Sequence, residues 1–221
     1  ISGDYMSEIG QFKNRQEAGK KLAEKLEKYR GEEAVVYALP RGGAVVGAEI
    51  AGRLNLPLDL ILVRKIGHPF NPEFAIGAVS ESGRLVGDVL VPNRVDPEWL
   101  GREVGCLKEE ISRRRQLYLG GRPSRPAQGK IAIIADDGIA TGSTMLAAIE
   151  EIRNQRPKKV VVAVPVAPPD TAELMRGRVD EFIAILIPET FFGAVGSYYD
   201  EFGQVSDEEV VSIMKNYTGD R

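Results

Sequence analysis

Between Ile131 and Ile149 the chain passes from an apolar run, through two adjacent carboxylates and a turn of Gly, Ser and Thr, into a helical pattern. Ile131-Ala132-Ile133-Ile134-Ala135 has no polar position on either face, the composition of a parallel strand covered on both sides. Asp136 and Asp137 stand at its carboxyl end, Gly138-Ile139-Ala140-Thr141-Gly142-Ser143-Thr144 turns the chain, and Met145-Leu146-Ala147-Ala148-Ile149 opens a helix. In an open α/β sheet, ligands bind beyond the carboxyl ends of the strands. The first turn of the following helix offers unpaired N–H groups and a positive dipole end to a phosphate. An acid pair can accept hydrogen bonds from vicinal hydroxyls, or lie close to a phosphate-bound Mg²⁺. A helix cap needs one such side chain, whereas this segment has two acids and three hydroxyls within nine positions. It reads as a sugar-phosphate site.

The surrounding pattern supplies the sheet. Residues 14 to 30 are predicted as a helix with Ala18, Leu22, Leu26 and Tyr29 on one stripe and Gly31 as terminator. Strands are expected at Ala34 to Leu39, Leu58 to Val63, Ile131 to Ala135, Val160 to Val164 and Phe182 to Ile187, with helices at Ala44 to Leu54, Ser143 to Gln155 and Asp170 to Arg176. Short apolar strands alternating with helices predict a mainly parallel, five-stranded α/β sheet flanked by helices. At 221 residues this is one domain, with a core of about 14–65 and 130–187. Residues 66–129 break the alternation. They begin with the turn-rich Ile66-Gly67-His68-Pro69-Phe70-Asn71-Pro72, continue through strand-like pieces at Ala75 to Ser80 and Arg84 to Val91, and reach a charged helix from about Pro97 to Leu119 that Gly120-Gly121-Arg122-Pro123 ends.

Leu39-Pro40-Arg41-Gly42-Gly43 is a second strand-to-helix turn. Its glycines let backbone amides approach an anion, and Arg41 adds a forked cation suited to phosphate oxygens. The glycine spacing is not that of a dinucleotide fold, and no P-loop motif occurs. Arg64-Lys65 places two cations at the end of the second strand.

The stretch from Asp136 to Thr144 resembles the phosphoribosyl-pyrophosphate (PRPP) signature of the type I phosphoribosyltransferases, and Leu39 to Gly43 resembles that family's pyrophosphate loop. The resemblance implies the type I phosphoribosyltransferase fold, with a flap insertion at about 66–129 and a small C-terminal hood at about 188–217. It implies that Asp136 and Asp137 bind the ribose hydroxyls and touch Mg²⁺ only indirectly, through PRPP. Gly138, Ile139, Ala140, Thr141, Gly142, Ser143 and Thr144 would wrap the 5′-phosphate. Arg41, Gly42, Gly43 and Lys65 fall on the pyrophosphate side, in a loop that in the family often contains a non-proline cis peptide. Arg41, Lys65, Asp136 and Asp137 are then the candidate catalytic set, with Mg²⁺ as cofactor. In the hood, Phe192, Tyr198 and Tyr199 are candidates to stack on a base. The implied reaction moves the phosphoribosyl group from PRPP to a nitrogen nucleophile, a nucleobase or an amine, with release of pyrophosphate. Hypoxanthine–guanine enzymes carry an Asp just before the Thr-Gly of the loop. Here that residue is Ala140, as in adenine enzymes. A homodimer is expected, since in some of these enzymes the flap crosses a dimer interface. A non-catalytic PRPP sensor, or transfer to a metabolite other than a base, would keep the same loop.

The rest of the chain narrows these classes. The formal net charge of −3 leaves no footprint for nucleic acid or an anionic membrane, and no apolar run reaches membrane-spanning length. The single cysteine, Cys106, fits a reducing cytoplasm and is expected to be a packed thiol. The only histidine, His68, is expected in the flap, either as a proton acceptor or as a plain loop residue. Arg113-Arg114-Arg115 is expected as a solvated face, or as a cluster reaching a neighbouring subunit's pyrophosphate.

Overall fold

The computed structural model describes residues 11–90 and 95–217. In chain order the elements are α1 (Arg15–Lys25), β1 (Ala34–Ala38), α2 (Gly42–Leu54), β2 (Leu58–Leu60), β3 (Val63–His68), β4 (Asn71–Ser80), β5 (Leu85–Gly87), α3 (Pro97–Leu119), β6 (Ile131–Ala135), α4 (Ser143–Asn154), β7 (Lys159–Val166), α5 (Pro169–Arg176), β8 (Glu181–Leu186) and α6 (Asp207–Lys215). The main sheet has the order β2-β1-β6-β7-β8, with every neighbouring pair parallel. The expected five-stranded parallel sheet is therefore present. β1 and β6 are buried at all positions and pair in register from Ala34↔Ile131 to Ala38↔Ala135. From β1 the chain winds outward to β2. From β6 it winds the other way, to β7 and β8. The crevice between the carboxyl ends of β1 and β6 is thus the topological switch point, where such sheets take their ligands.

The chain between the two halves departs from expectation. Val63, placed by its sequence at the end of the second strand, begins β3 instead. Ile66 to Pro72 does not form a loop. It forms the arms of an antiparallel hairpin in which His68 pairs with Asn71 across Pro69-Phe70. A register shift between Ile66 and His68 absorbs the breaker residues. β5 adds a third strand, shorter than the expected Arg84 to Val91, and a 3₁₀ turn follows at Asp88–Leu90; Val91 itself lies outside the described residues. The base of this small sheet is packed. Ile66, Ala78 and Val79 are fully buried, and Ile66 and Val79 share a core with Ile111, Tyr118 and Leu119 of α3. Its far end is bare, with Phe70 91% and Phe74 60% exposed.

α3 has the expected bounds, with Asp96 capping Trp99 N–H at 2.7 Å, Pro97 in the first turn and Gly120 at φ 61° closing it. Its buried face carries Ile111, Arg115, Tyr118 and Leu119. Cys106 lies off that stripe and is exposed, so the expectation of a packed thiol is corrected. The arginine run is also corrected. Arg113 and Arg114 pair with Glu110 on the helix surface, whereas Arg115 is buried, donates to Leu60 O at 3.1 Å and Arg122 O at 3.2 Å, and forms ion pairs with Glu81 and Asp59.

The C-terminal strap, residues 188–206, crosses back over the sheet and forms a parallel bridge between Tyr199 and Phe12. Phe12, Ala18, Val166, Tyr198 and Tyr199 form a satellite core there, with Phe191, Val195 and Phe202 against it. α6 opens with a capping box between Ser206 and Glu209 and buries Val210 and Met214.

Candidate active site

The acid pair leaves β6 at the switch point, and the turn behind it is held by backbone groups. Ile139 N–H donates to Val166 O at 3.0 Å, and the Thr171 hydroxyl donates to Ala140 O at 2.8 Å. Gly142, at φ 82°, is the left-handed residue that caps α4 and swings the chain into it; a Cβ there would lie 2.6 Å from Met175 Cε. Thr141 and Ser143 bring their hydroxyls within 3.5 Å of one another at the mouth of the helix. The result is a cleft of about 180 Å³ lined by Asp136, the loop from Gly138 to Thr144, Val195 of the strap and Lys65 of β3. Lys65 is therefore brought to the phosphate turn by the antiparallel hairpin, and not by the end of a parallel strand. A larger concavity of about 630 Å³ lies apart, between the start of α1 and the strap, lined by Lys13, Arg15, Lys20, Glu201 and Gln204. It contains none of the phosphate turn.

The two acids differ. Asp136 lines the cleft, and its carboxyl packs toward Gly43 at the start of α2, with Oδ1 accepting Asp137 N–H at 2.8 Å. Burial, and then the neighbouring Asp137 charge, raise its carboxyl well above the ordinary range. Asp137 is enclosed. Its Oδ2 accepts from Arg15 Nε at 2.7 Å, and its main-chain carbonyl accepts from the Tyr199 hydroxyl at 2.6 Å. Burial raises the Tyr199 phenol, which stays a donor at neutral pH.

The second turn meets the acids from behind. The Pro40–Arg41 peptide is cis. A Cβ on Gly42 would lie 1.9 Å from Asp137 Oδ2, and one on Gly43 would lie 2.9 Å from Asp136 Oδ1. In this state the two glycines admit the carboxylates to the start of α2. Arg41 points away from the phosphate turn, with Nη1 3.8 Å from Asp207 Oδ1, which also accepts from the Tyr118 hydroxyl at 2.5 Å.

The aromatic candidates of the hood separate in the same way. Tyr198 is fully buried and its hydroxyl accepts Phe192 N–H at 2.9 Å; Tyr199 is wedged between Phe12 and Phe202, at ring centroid distances of 5.3 and 4.8 Å. Both build the satellite core, and Phe192 is the exposed member of the three, at 37%. His68 accepts Phe70 N–H at Nδ1, 3.2 Å, and closes the hairpin turn. Sequence reasoning missed Arg15 altogether. No local signal marks one arginine at the start of a helix whose acidic partner lies 122 residues away.

A parallel sheet with an acid pair and an amide-rich, hydroxyl-rich turn at its switch point defines an α/β domain whose candidate ligand site lies at the carboxyl ends of its central strands. Residues 6–201 match the model of the phosphoribosyl transferase domain family, and the chain belongs to that family. Two Mycobacterium tuberculosis proteins (strains CDC 1551 and H37Rv), provisionally named phosphoribosyl transferases, are 42% identical to it over 205 residues. That match covers 92% of this chain and 46% of each relative, so the chain spans about half the length of these curated relatives. The crystal structure of TT1426 from Thermus thermophilus is also 42% identical, with a TM-score of 0.82 over 95% of this chain and 100% of that one. Among the described residues no helix is long and apolar enough to cross a membrane.

Proposed function

We propose that this domain binds PRPP and transfers its phosphoribosyl group to a nitrogen nucleophile, releasing pyrophosphate. The observation that carries the reading is the single cleft that joins a carboxyl (Asp136), a loop of backbone amides and hydroxyls (Gly138 to Thr144) and a cation (Lys65). The amides and hydroxyls of the turn bind the 5′-phosphate, and the positive end of α4 favours its charge. The acid side of the cleft binds the ribose hydroxyls. Lys65, with Arg41 once it exchanges Asp207 for the ligand, neutralises the leaving pyrophosphate. Gly42 and Gly43 keep the start of α2 close enough for its amides to contribute.

The chemistry of the donor set fits Mg²⁺ arriving with the substrate. No group of three or more His, Cys, Asp or Glu side chains suited to a metal exists among the described residues, and Mg²⁺ is commonly held by one or two carboxylates together with substrate phosphates. When bound, it supplies positive charge to the pyrophosphate. The protein's own part is to hold nucleophile and leaving group in line and to keep water from the anomeric carbon.

The acceptor reading follows from Ala140. An acceptor that needs a carboxylate at this point of the loop finds none. Of Glu73 and Glu81, the two carboxylates of the insertion that could supply one, Glu81 is ion-paired with Arg115, which leaves Glu73. Adenine is the acceptor to try first, then other bases and amines, with Phe192, the exposed aromatic of the strap, as the ring to stack on it and Tyr198 and Tyr199 fixing the strap. Pyrophosphate release from Mg²⁺–PRPP with a panel of purines, pyrimidines and amines tests the proposal. The expected result is turnover with adenine preferred over guanine and hypoxanthine. Saturable PRPP binding without turnover on any acceptor would replace the enzyme with a PRPP sensor. A tenfold preference for guanine in kcat/KM, about 1.4 kcal/mol of discrimination, would overturn the acceptor assignment.

A further inference from the structure

One face of α4 joins the phosphate turn to the β3–β4 hairpin. Thr144, Ala147, Ala148 and Glu151 recur at the spacing of a single helical face and span about 10 Å of helix. Thr144 lines the cleft, Ala147 and Ala148 are fully buried, and Glu151 ends the row as the acceptor of two hydroxyls from the small sheet. Ser80, itself fully buried, donates to Glu151 Oε2 at 2.5 Å, and the Ser82 hydroxyl bonds the same oxygen. Ser80 Oγ also accepts Arg84 N–H at 3.2 Å, which ties the β4–β5 turn to this point, and the Arg84 side chain reaches Asn154 at the end of the helix.

The register of the hairpin carries this anchor to Lys65. Ser80 pairs with Val63 and Ala78 with Lys65, and residues paired across an antiparallel ladder point to the same face. Val63, Lys65, Ala78 and Ser80 therefore share the face turned to α4, where Val63 packs with Met145 and Ile149. Ile66 and Val79 lie on the other face and pack on α3. That apolar contact is non-directional. The two hydroxyl bonds to one carboxylate are directional, and they fix where along α4 the hairpin sits; hydrogen bonds to a carboxylate are also the stronger kind. We propose that Glu151 is a positioning residue that, through Ser80 and Ser82, sets the hairpin base along α4 so that Lys65 stands at the phosphate turn. This role rests on the phosphoribosyl reading of the cleft, in which Lys65 meets the pyrophosphate. Lysine is a point charge on a flexible stem, so its reach depends on where its strand is held. Glu151 touches no ligand.

The test compares Lys65→Ala, Glu151→Ala, Glu151→Gln and the Lys65→Ala/Glu151→Ala double variant. The readouts are hydrogen exchange of the free protein and calorimetric affinities for PRPP and for ribose 5-phosphate, each with Mg²⁺; only PRPP has the pyrophosphate that Lys65 meets. Lys65→Ala is expected to weaken PRPP about tenfold and to leave ribose 5-phosphate unchanged. Glu151→Ala should speed exchange from Val63 to Ile66 and weaken PRPP severalfold, again sparing ribose 5-phosphate. The double variant should bind PRPP no worse than Lys65→Ala, because displacing a strand whose lysine is already gone loses nothing more. Glu151→Gln keeps an oxygen for both hydroxyls and should restore most of the loss. A merely structural role would lower both affinities together and add to the effect of Lys65→Ala, and either result overturns the proposal. So does parental PRPP affinity in Glu151→Ala, and so does Lys65→Ala without effect while the parent binds PRPP. Ser80→Ala removes one of the two bonds with little change of volume, and takes the place of Glu151→Ala in the cycle if that variant does not fold. If the parent chain binds neither ligand, the phosphoribosyl reading fails and takes the role of Lys65 with it, while exchange at the hairpin base in Glu151→Ala still decides whether this carboxylate holds the hairpin.

Discussion

Asp136 sets function against stability at a single residue. Burial and the adjacent Asp137 charge raise its carboxyl, so the folded chain holds that proton more tightly than the unfolded chain does. The folded state then binds more protons between the unfolded and the raised folded pKa. Stability accordingly falls as pH rises through that window, and the full cost is present above it. Asp136→Asn removes the titration while keeping an oxygen for Asp137 N–H. The unliganded variant should therefore be more stable than the parent near neutral pH. Each tenfold tightening of a proton on folding corresponds to about 1.4 kcal/mol, and each kcal/mol to roughly 2–4 °C in Tm for a chain of this size. Thermal scans between about pH 4 and pH 8 check this, and the gain should close toward the acid end. A gain of equal size at both ends would trace to packing and not to the proton. The acid pair and its turn were legible in the sequence because phosphate and hydroxyl chemistry demands particular residue types in consecutive positions. The partners of the second acid were not legible: Arg15, Gly42 and Tyr199 meet Asp137 only in the folded chain.

Among the elements, those of the parallel sheet were legible to within one or two residues, except that the second strand ends at Leu60 and not at Val63. β1 and β6, like Val160 to Val164 of β7, are apolar on both faces because helices cover both. The β3–β4 hairpin was not legible. Gly67, Pro69 and Pro72 read locally as breakers, whereas a register shift and a two-residue turn accommodate all three. Nor was the fate of Arg115 visible in a run of three arginines. Its burial follows from its place on the stripe that α3 turns to the core, where it meets Asp59 and Glu81. Arg115→Met should therefore leave the Leu60 and Arg122 carbonyls and Glu81 without their donor and cost about 3–5 kcal/mol, as removal of one member of a buried pair does. Arg113→Ala and Arg114→Ala, whose Glu110 pairs lie on the helix surface, should each cost about 1 kcal/mol or less. Urea unfolding midpoints of the three variants measure the contrast directly. A small loss in Arg115→Met, comparable to the other two, would mean that Glu81 and the two carbonyls find water when it is gone.

At the scale of the whole molecule, the hairpin links the phosphate turn to solvent. Its base is locked between α3 and α4: Ile66 and Val79 are buried, the Ser80 hydroxyl donates to Glu151 of α4 at 2.5 Å, and Ser82 bonds the same carboxylate. Beyond Lys65, which lines the cleft, the strands run out to an end where Phe70 and Phe74 are largely exposed. Segments with few buried contacts open locally at low free energy, and a lid has to be drawn from such segments if product is to leave. Hydrogen exchange should accordingly divide the hairpin in two. Amides from Val63 to Ile66 and from Ala78 to Ser80 should be protected in the free protein and little changed by ligand. Amides from Gly67 to Phe74 should exchange quickly in the free protein, and should slow only when Mg²⁺–PRPP and an acceptor are both present, because the base alone already holds Lys65 at the cleft. Protection of the tip by PRPP alone would make closure a response to the phosphates rather than to the complete reacting pair. Unchanged exchange at the tip in every state would make the hairpin a fixed wall of the site, with exclusion of water left to the strap and its Val195.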